Sequence, residues 1–198
     1  VIPCGEKDNI LLATRLGKAI RFDVHDVRVF VGRGSSGVRG IRLKPNDFVV
    51  SMSLIPKEEK RFILSVTENG FGKRTPVDDY RMTNRGGQGV ANIECSTRNG
   101  PVVASYVASE DDQIMLVTNS GKLIRIRVHG GEGDSIRVAG RKTQGVRLFD
   151  VDEGEKVVSV ALLNETDDDE EIEETTLTTA DVKEDLIVNN NIENKDLN

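Results

Sequence analysis

The sequence has no tryptophan and few cysteine, histidine or aromatic residues, and these shortages exclude several classes of site. Among 198 residues, two are cysteine, two are histidine and 4% are aromatic. Cys4 and Cys95 form no C-x-x-C pair, and His25 and His129 stand alone, so we expect neither a disulfide framework nor a zinc site. The pattern predicts a chain without a metal site or a cofactor of its own, and it suits a reducing compartment.

Long apolar runs and catalytic motifs are also missing. No run reaches the length of a transmembrane helix, and no signal peptide is present. The chain has no Walker-type glycine loop, no H-E-x-x-H motif and no nucleophile elbow, so we expect no catalytic residue in it and no membrane partner. Because it starts at Val1 rather than methionine, we expect a fragment of a longer protein or a processed chain.

The charge is unevenly divided along the chain. Residues 164–198 hold 13 acidic and 2 basic residues, a net charge of −11, whereas residues 1–163 hold 20 acidic and 25 basic residues, a net charge of +5. The unbroken acidic run 167–171 and the lack of aromatics predict that residues 164–198 form a disordered tail. Its negative charge predicts that the tail competes with polyanions for the basic residues 1–163. A short apolar patch, Leu186–Val188, leaves docking of the tail on the body open as an alternative.

One repeat occurs in three copies, at about residues 8–55, 60–108 and 112–163. Each copy has an apolar run, a Thr-x-x-Gly turn, an alternating strand, an Arg-x-x-x-Gly-Val motif and a closing valine-rich strand. This order predicts an all-β, propeller-like domain over residues 1–163 with about four strands per repeat. Pro76 predicts that the second strand of the middle copy lies at a sheet edge, because proline cannot donate to a ladder.

Arginine recurs at fixed places in the repeats. The first position, four residues after the hairpin glycine, holds Arg21, Arg74 and Arg125. The second position, four residues before Gly-Val, holds Arg33, Arg85 and Arg141. The third, aligned with one gap, holds Arg28, Arg81 and Arg137, and lysines at or near the turn are Lys18, Lys73 and Lys122.

Strand alternation places the first-position arginines on the face away from the core. A guanidinium fork matches phosphate oxygens, so the pattern predicts a basic rim that binds a long polyanion through salt-sensitive contacts without reading sequence. The alternative is that these arginines are solvated strand residues, some of them paired with carboxylates. The candidate carboxylates are Asp23, Asp26, Asp78 and Asp79.

Several motifs together closely resemble the C-terminal domain of the A subunit of bacterial DNA gyrase over about residues 1–163. They include Gly17-Lys-Ala-Ile-Arg-Phe22, Gly70-Phe-Gly-Lys-Arg-Thr75 and Gly140-Arg-Lys-Thr-Gln-Gly-Val146. The resemblance implies a six-bladed β-pinwheel with strands exchanged between blades, of which this chain would hold about three. It also implies a domain that wraps double-stranded DNA to support ATP-dependent negative supercoiling.

The same resemblance implies that the catalytic tyrosine, the ATP site and magnesium lie elsewhere in a type II topoisomerase. That enzyme, of the isomerase class, would pair two A subunits with two B subunits at the chromosome in the bacterial cytoplasm. One departure is that the family's glycine-arginine wrapping heptad is absent, and residues 84–89 resemble it imperfectly. Two alternatives are the matching domain in the A subunit of topoisomerase IV and a propeller used as a protein-interaction scaffold, which the scarcity of aromatic anchors disfavours.

Overall fold

The computed structural model describes residues 1–56, 61–131 and 135–163, and the predicted acidic tail lies outside them. The described residues form eleven β-strands and two 3-10 helices, without an α-helix. The strands are β1 Asn9–Thr14, β2 Lys18–Asp23, β3 Val49–Ile55, β4 Phe62–Thr67, β5 Phe71–Pro76, β6 Val90–Ala91, β7 Val102–Ala108, β8 Gln113–Thr118, β9 Leu123–Arg127, β10 Val146–Arg147 and β11 Val157–Leu163. The 3-10 helices are Val24–Asp26 and Val77–Asp79, so the all-β prediction is confirmed.

The strands form three antiparallel sheets, and two of these sheets include a strand from the following repeat. The orders are β3-β1-β2-β6, β10-β5-β4-β7 and β11-β8-β9. In the first sheet β6 comes from the second repeat, and in the second sheet β10 comes from the third repeat. The propeller-like fold is therefore confirmed, with each of these two outermost strands supplied by the repeat that follows.

The Thr-x-x-Gly motifs form the predicted hairpins. Gly17 has a φ of 77°, and its N–H donates to the Thr14 carbonyl at 3.1 Å. A Cβ at this position would stand 2.1 Å from the Ile93 carbonyl oxygen of the next repeat. Glycine is thus required both for the left-handed backbone and for the close approach of a neighbouring repeat.

The prediction that β5 lies at an edge is wrong. It lies between β4 and β10, because Pro76 occupies the last position of the strand, whereas β10 pairs at the opposite end with Phe71 and Gly72. Among the described residues the second hairpin strand with an open outer side is β9. Its side chains alternate between exposed and half-buried, with Leu123, Arg125 and Arg127 exposed.

The apolar core lies between successive sheets. One cluster joins the first and second repeats and includes Leu11, Ile63 and Val107; another joins the second and third and includes Leu64 and Ile114. The middle repeat is therefore covered on both sides.

Candidate nucleic-acid interface

The first-position arginine lies where one repeat meets the next. Arg21 Nη1 donates to the carbonyls of Val77 and Tyr80, each at 3.3 Å, and both carbonyls belong to the second repeat. Its Nε donates to Asn9 Oδ1 at 2.8 Å, which fixes the side chain to the start of its own sheet. Burial lowers the pKa of Arg21. The side chain is half-buried and joins two repeats.

Arg74 makes the same kind of joint between the second and third repeats. Its Nε donates to the Ile136 carbonyl at 2.6 Å, and its guanidinium carbon lies 5.0 Å from the centre of the Phe62 ring. Its backbone N–H donates to the Arg137 carbonyl at 3.0 Å. The residue is only 4% exposed, and this burial lowers its pKa.

Lys73 is fully buried beside it. Its Nζ donates to the Gly140 carbonyl at 2.5 Å. Burial, with a smaller contribution from the Arg141 charge, lowers the pKa of Lys73 to about 8, while Asp79 acts in the opposite direction. The expectation that Lys73 and Arg74 face outward as DNA contacts therefore needs correction, since the third repeat covers β5.

Arg125 is the third member of the first position, and it is exposed. Its Nε donates to Gln113 Oε1 at 2.7 Å, and Gln113 opens β8 as Asn9 opens β1. The side chain is thus held within its own sheet in the manner of Arg21. The arginine at this position is therefore buried to different degrees in the three repeats. Arg74 is almost fully buried, Arg21 is half-buried and Arg125 is exposed.

The second-position arginines mostly hold loops together. Arg85 is half-buried, and it donates from Nε to the Asp26 carbonyl at 2.7 Å and from Nη1 to the Arg39 carbonyl at 3.1 Å. Arg141 Nη1 donates to the Ala91 carbonyl at 3.0 Å. Arg33, in contrast, is exposed.

The third-position arginines offer the clearest exposed charges. Arg28, Arg81 and Arg137 are all exposed, and the guanidinium carbon of Arg28 lies 4.6 Å from the centre of the Phe30 ring. Arg81 and Arg137 form no ion pair with any residue that the structure describes. Both lie on what we call the crossing segments, residues 80–91 and 136–147, which run along the outer strand of the preceding sheet.

The hairpin lysines differ between the outer repeats. Lys122 Nζ lies 2.6 Å from Asp152 Oδ2 and 2.9 Å from Glu155 Oε2, and these bonds raise the pKa of Lys122. The pKa of Glu155 falls to about 2, chiefly because the Asp152 N–H donates to its carboxylate, with Ser120, Lys122 and Thr118 adding to the effect. Lys18 is half-buried and forms no ion pair within the described ranges.

Three exposed cations of the first repeat are absent from the sequence-based set. They are Arg39, Arg42 and Lys44. They do not recur as a set, because the third repeat has Asp150 and Asp152 where the first repeat has Arg42 and Lys44. A comparison of net charge repeat by repeat could have found them.

The part of the chain that the structure describes contains no cluster of three or more His, Cys, Asp or Glu residues able to hold a metal ion. No helix within the described ranges is long and apolar enough to cross a membrane.

Three blade-like antiparallel sheets with exchanged strands define a β-propeller class of protein. The sequence model of the family described as "DNA gyrase C-terminal domain, beta-propeller" matches residues 8–56, 61–100 and 112–164. The chain belongs to this family.

Curated relatives are named as the A subunit of DNA gyrase. The protein of Rickettsia felis is 42% identical and aligns with 86% of this chain and 23% of its own length. That of Staphylococcus epidermidis is 41% identical and aligns with 89% of this chain and 20% of its own length. The chain therefore spans about a quarter or less of the length of the curated relatives it matches.

Solved structures share the fold. The C-terminal domain of DNA topoisomerase IV superposes with a TM-score of 0.72 at 29% identity, covering 80% of this chain and 47% of that chain. The E. coli ParC C-terminal domain superposes with a TM-score of 0.61 at 18% identity, covering 82% of this chain and 63% of that chain, a likeness of fold alone.

Proposed function

We propose that residues 1–163 are part of the DNA-binding domain in the A subunit of a DNA gyrase and bind duplex DNA along the crossing segments. The observation that carries this proposal is the placement of Arg81 and Arg137. Each is exposed on the outermost segment of a sheet, at equivalent positions of successive repeats. A bent duplex can follow such regularly placed charges through its phosphates.

The proposed contacts differ from the full set of recurring cations. Exposed side chains suit phosphate contact directly, and these are Arg28, Arg33, Arg81, Arg125 and Arg137. Lys122 is also exposed, but Asp152 and Glu155 engage its charge, so it would contribute less. The half-buried Lys18, Arg85 and Arg141 lie at the margin of the same surface. Arg21, Lys73 and Arg74 would act indirectly, because they hold the repeats that carry the contacts.

In the longer protein we propose that this binding supports ATP-dependent negative supercoiling. The partners would be the B subunit of gyrase and a second A subunit in the bacterial cytoplasm, at the chromosome. ATP, magnesium and the catalytic tyrosine would belong to other parts of that assembly. The names of the curated relatives support this proposal.

A salt titration of the affinity for a short duplex tests DNA binding. With about six phosphate contacts, the logarithm of the association constant should fall against the logarithm of salt concentration with a slope near −5. Arg81→Gln and Arg137→Gln should each make the slope shallower by about 0.9, because each removes one phosphate contact. Affinity that does not change with salt would contradict the proposal and favour a protein-interaction scaffold.

A second candidate is the corresponding domain of topoisomerase IV, favoured by the superposition at a TM-score of 0.72. Wrapping separates the two. A wrapping domain bound to a nicked circle should leave a shift in linking number after ligation, whereas a domain that binds without wrapping should leave none.

A further inference from the structure

The hairpins of the two outer repeats close over a carboxylate in the same way. Asp47 accepts from Thr14 Oγ1 at 2.8 Å and from the Leu16 N–H at 2.9 Å. Glu155 accepts from Thr118 Oγ1 at 2.7 Å. Each acid lies two residues before the valine that pairs with this threonine, so the two carboxylates occupy equivalent positions.

The cations around these carboxylates are not equivalent. In the third repeat, Lys122 is neutralised by Asp152 and Glu155. In the first repeat Lys18 is the counterpart of Lys122, but Lys44 stands three residues before Asp47, where the third repeat has Asp152 three residues before Glu155.

The resulting excess of positive charge lies at one cleft. Lys18, Arg42 and Lys44 line it together with Asp47 and Gln88. None of the three cations forms an ion pair with a described residue. The Asp47 carboxylate already accepts three hydrogen bonds, the third from the Phe48 N–H at 3.0 Å. Three cations therefore face one buried carboxylate whose oxygens are already engaged.

We infer that Lys18, Arg42 and Lys44, the basic corner, form a phosphate-binding site that receives a backbone phosphate of duplex DNA. Lysine supplies a compact charge and arginine a planar fork, and both are suited to phosphate oxygens. The corner is continuous with the crossing segment of the second repeat, since the Arg42 N–H donates to the Gly87 carbonyl at 2.8 Å. The inference rests on the proposed DNA binding. It implies that the first repeat binds DNA more tightly than the third repeat does.

The substitution Lys44→Asp gives the basic corner the charge pattern of the third repeat. It removes one cation and supplies Lys18 with a carboxylate, so the salt slope of duplex binding should become shallower by about 1.8, the equivalent of two contacts. Lys7→Asp is the matched control, because Lys7 is exposed, lies outside the crossing segments and precedes the opposite end of β1, and the change in net charge is identical. The reciprocal variant Asp152→Lys should steepen the slope by about 0.9.

Equal slopes for Lys44→Asp and Lys7→Asp would overturn the inference while leaving DNA binding intact. Titration of inorganic phosphate into the isotope-labelled chain tests the corner without DNA. The amide resonances of Lys18, Arg42 and Lys44 should shift, and that of Lys122 should not. If the wild-type chain shows no salt-dependent binding of DNA, the proposed function fails, and this titration decides the phosphate site by itself. Unchanged corner resonances would overturn the site in either case.

Discussion

The second strands of the middle and third repeats carry the same arginine in contrasting surroundings. Arg74 on β5 is 4% exposed and bonded to the third repeat, whereas Arg125 on β9 is exposed and bonded within its own sheet. The difference comes from the crossing segment, which covers β5 and has no counterpart over β9 among the described residues. Recurrence of an arginine in a repeat can therefore reflect a joint between repeats as readily as a ligand contact.

The largest effect should come from removing the covered arginine. Arg74→Ala should reduce the free energy of unfolding by about 3 kcal/mol, because the Ile136 carbonyl loses its charged donor and the Phe62 ring loses its partner. Arg125→Ala should change it by less than about 0.5 kcal/mol. Urea unfolding of both variants measures the contrast, and equal losses would contradict it.

A smaller effect should follow from the polar network of the middle repeat. Tyr80 Oη donates to Asn92 Oδ1 at 2.5 Å, and Asn92 Nδ2 donates to Ser105 Oγ at 2.9 Å. Tyr80→Phe should reduce the free energy of unfolding by about 1 kcal/mol, since it removes one buried hydrogen bond without removing the ring. Tyr106→Phe is the comparison, because the Tyr106 hydroxyl donates to the Val160 carbonyl from a half-buried position and should matter less.

Acid should destabilise the third repeat through a carboxylate that the middle repeat lacks. The folded-state pKa of Glu155 is about 2, below its ordinary value of 4.5, so its stabilisation is complete above pH 4.5 and is lost as the pH falls towards 2. The difference in unfolding free energy between the wild type and Glu155→Gln should shrink over that window. The middle repeat has Gly100 at this position, and a difference that stayed constant with pH would count against the carboxylate's role.

A further pH effect is expected in alkali and concerns Lys73. Its folded-state pKa of about 8 lies below its ordinary value of 10.5, so the folded chain releases this proton before the unfolded chain does. Stability should therefore rise with pH between about 8 and 10.5 through this residue. The rise should be absent in Lys73→Met, which nearly keeps the side-chain length. Lys122→Met is the control from the exposed hairpin.

The sequence was sufficient for the hairpins and the repeats, because Thr-x-x-Gly and the apolar runs act over a few residues. It was insufficient for the burial of Lys73 and Arg74. Their bonding partners, Gly140 and Ile136, lie 67 and 62 residues away along the chain. Strand alternation describes one sheet and cannot show that a later repeat covers its outer side. The same limit explains the wrong prediction from Pro76, whose effect depends on which end of β5 the incoming strand meets.

The outer strands that the following repeat supplies, β6 and β10, also determine where the chain can be truncated. Removing the third repeat at a point such as residue 110 would take β10 with it, and the second sheet would lose its outer strand. It would also uncover Lys73 and the guanidinium of Arg74. A truncation that respects the folded units must therefore leave each crossing segment with the sheet it completes, rather than follow the boundaries of the sequence repeat.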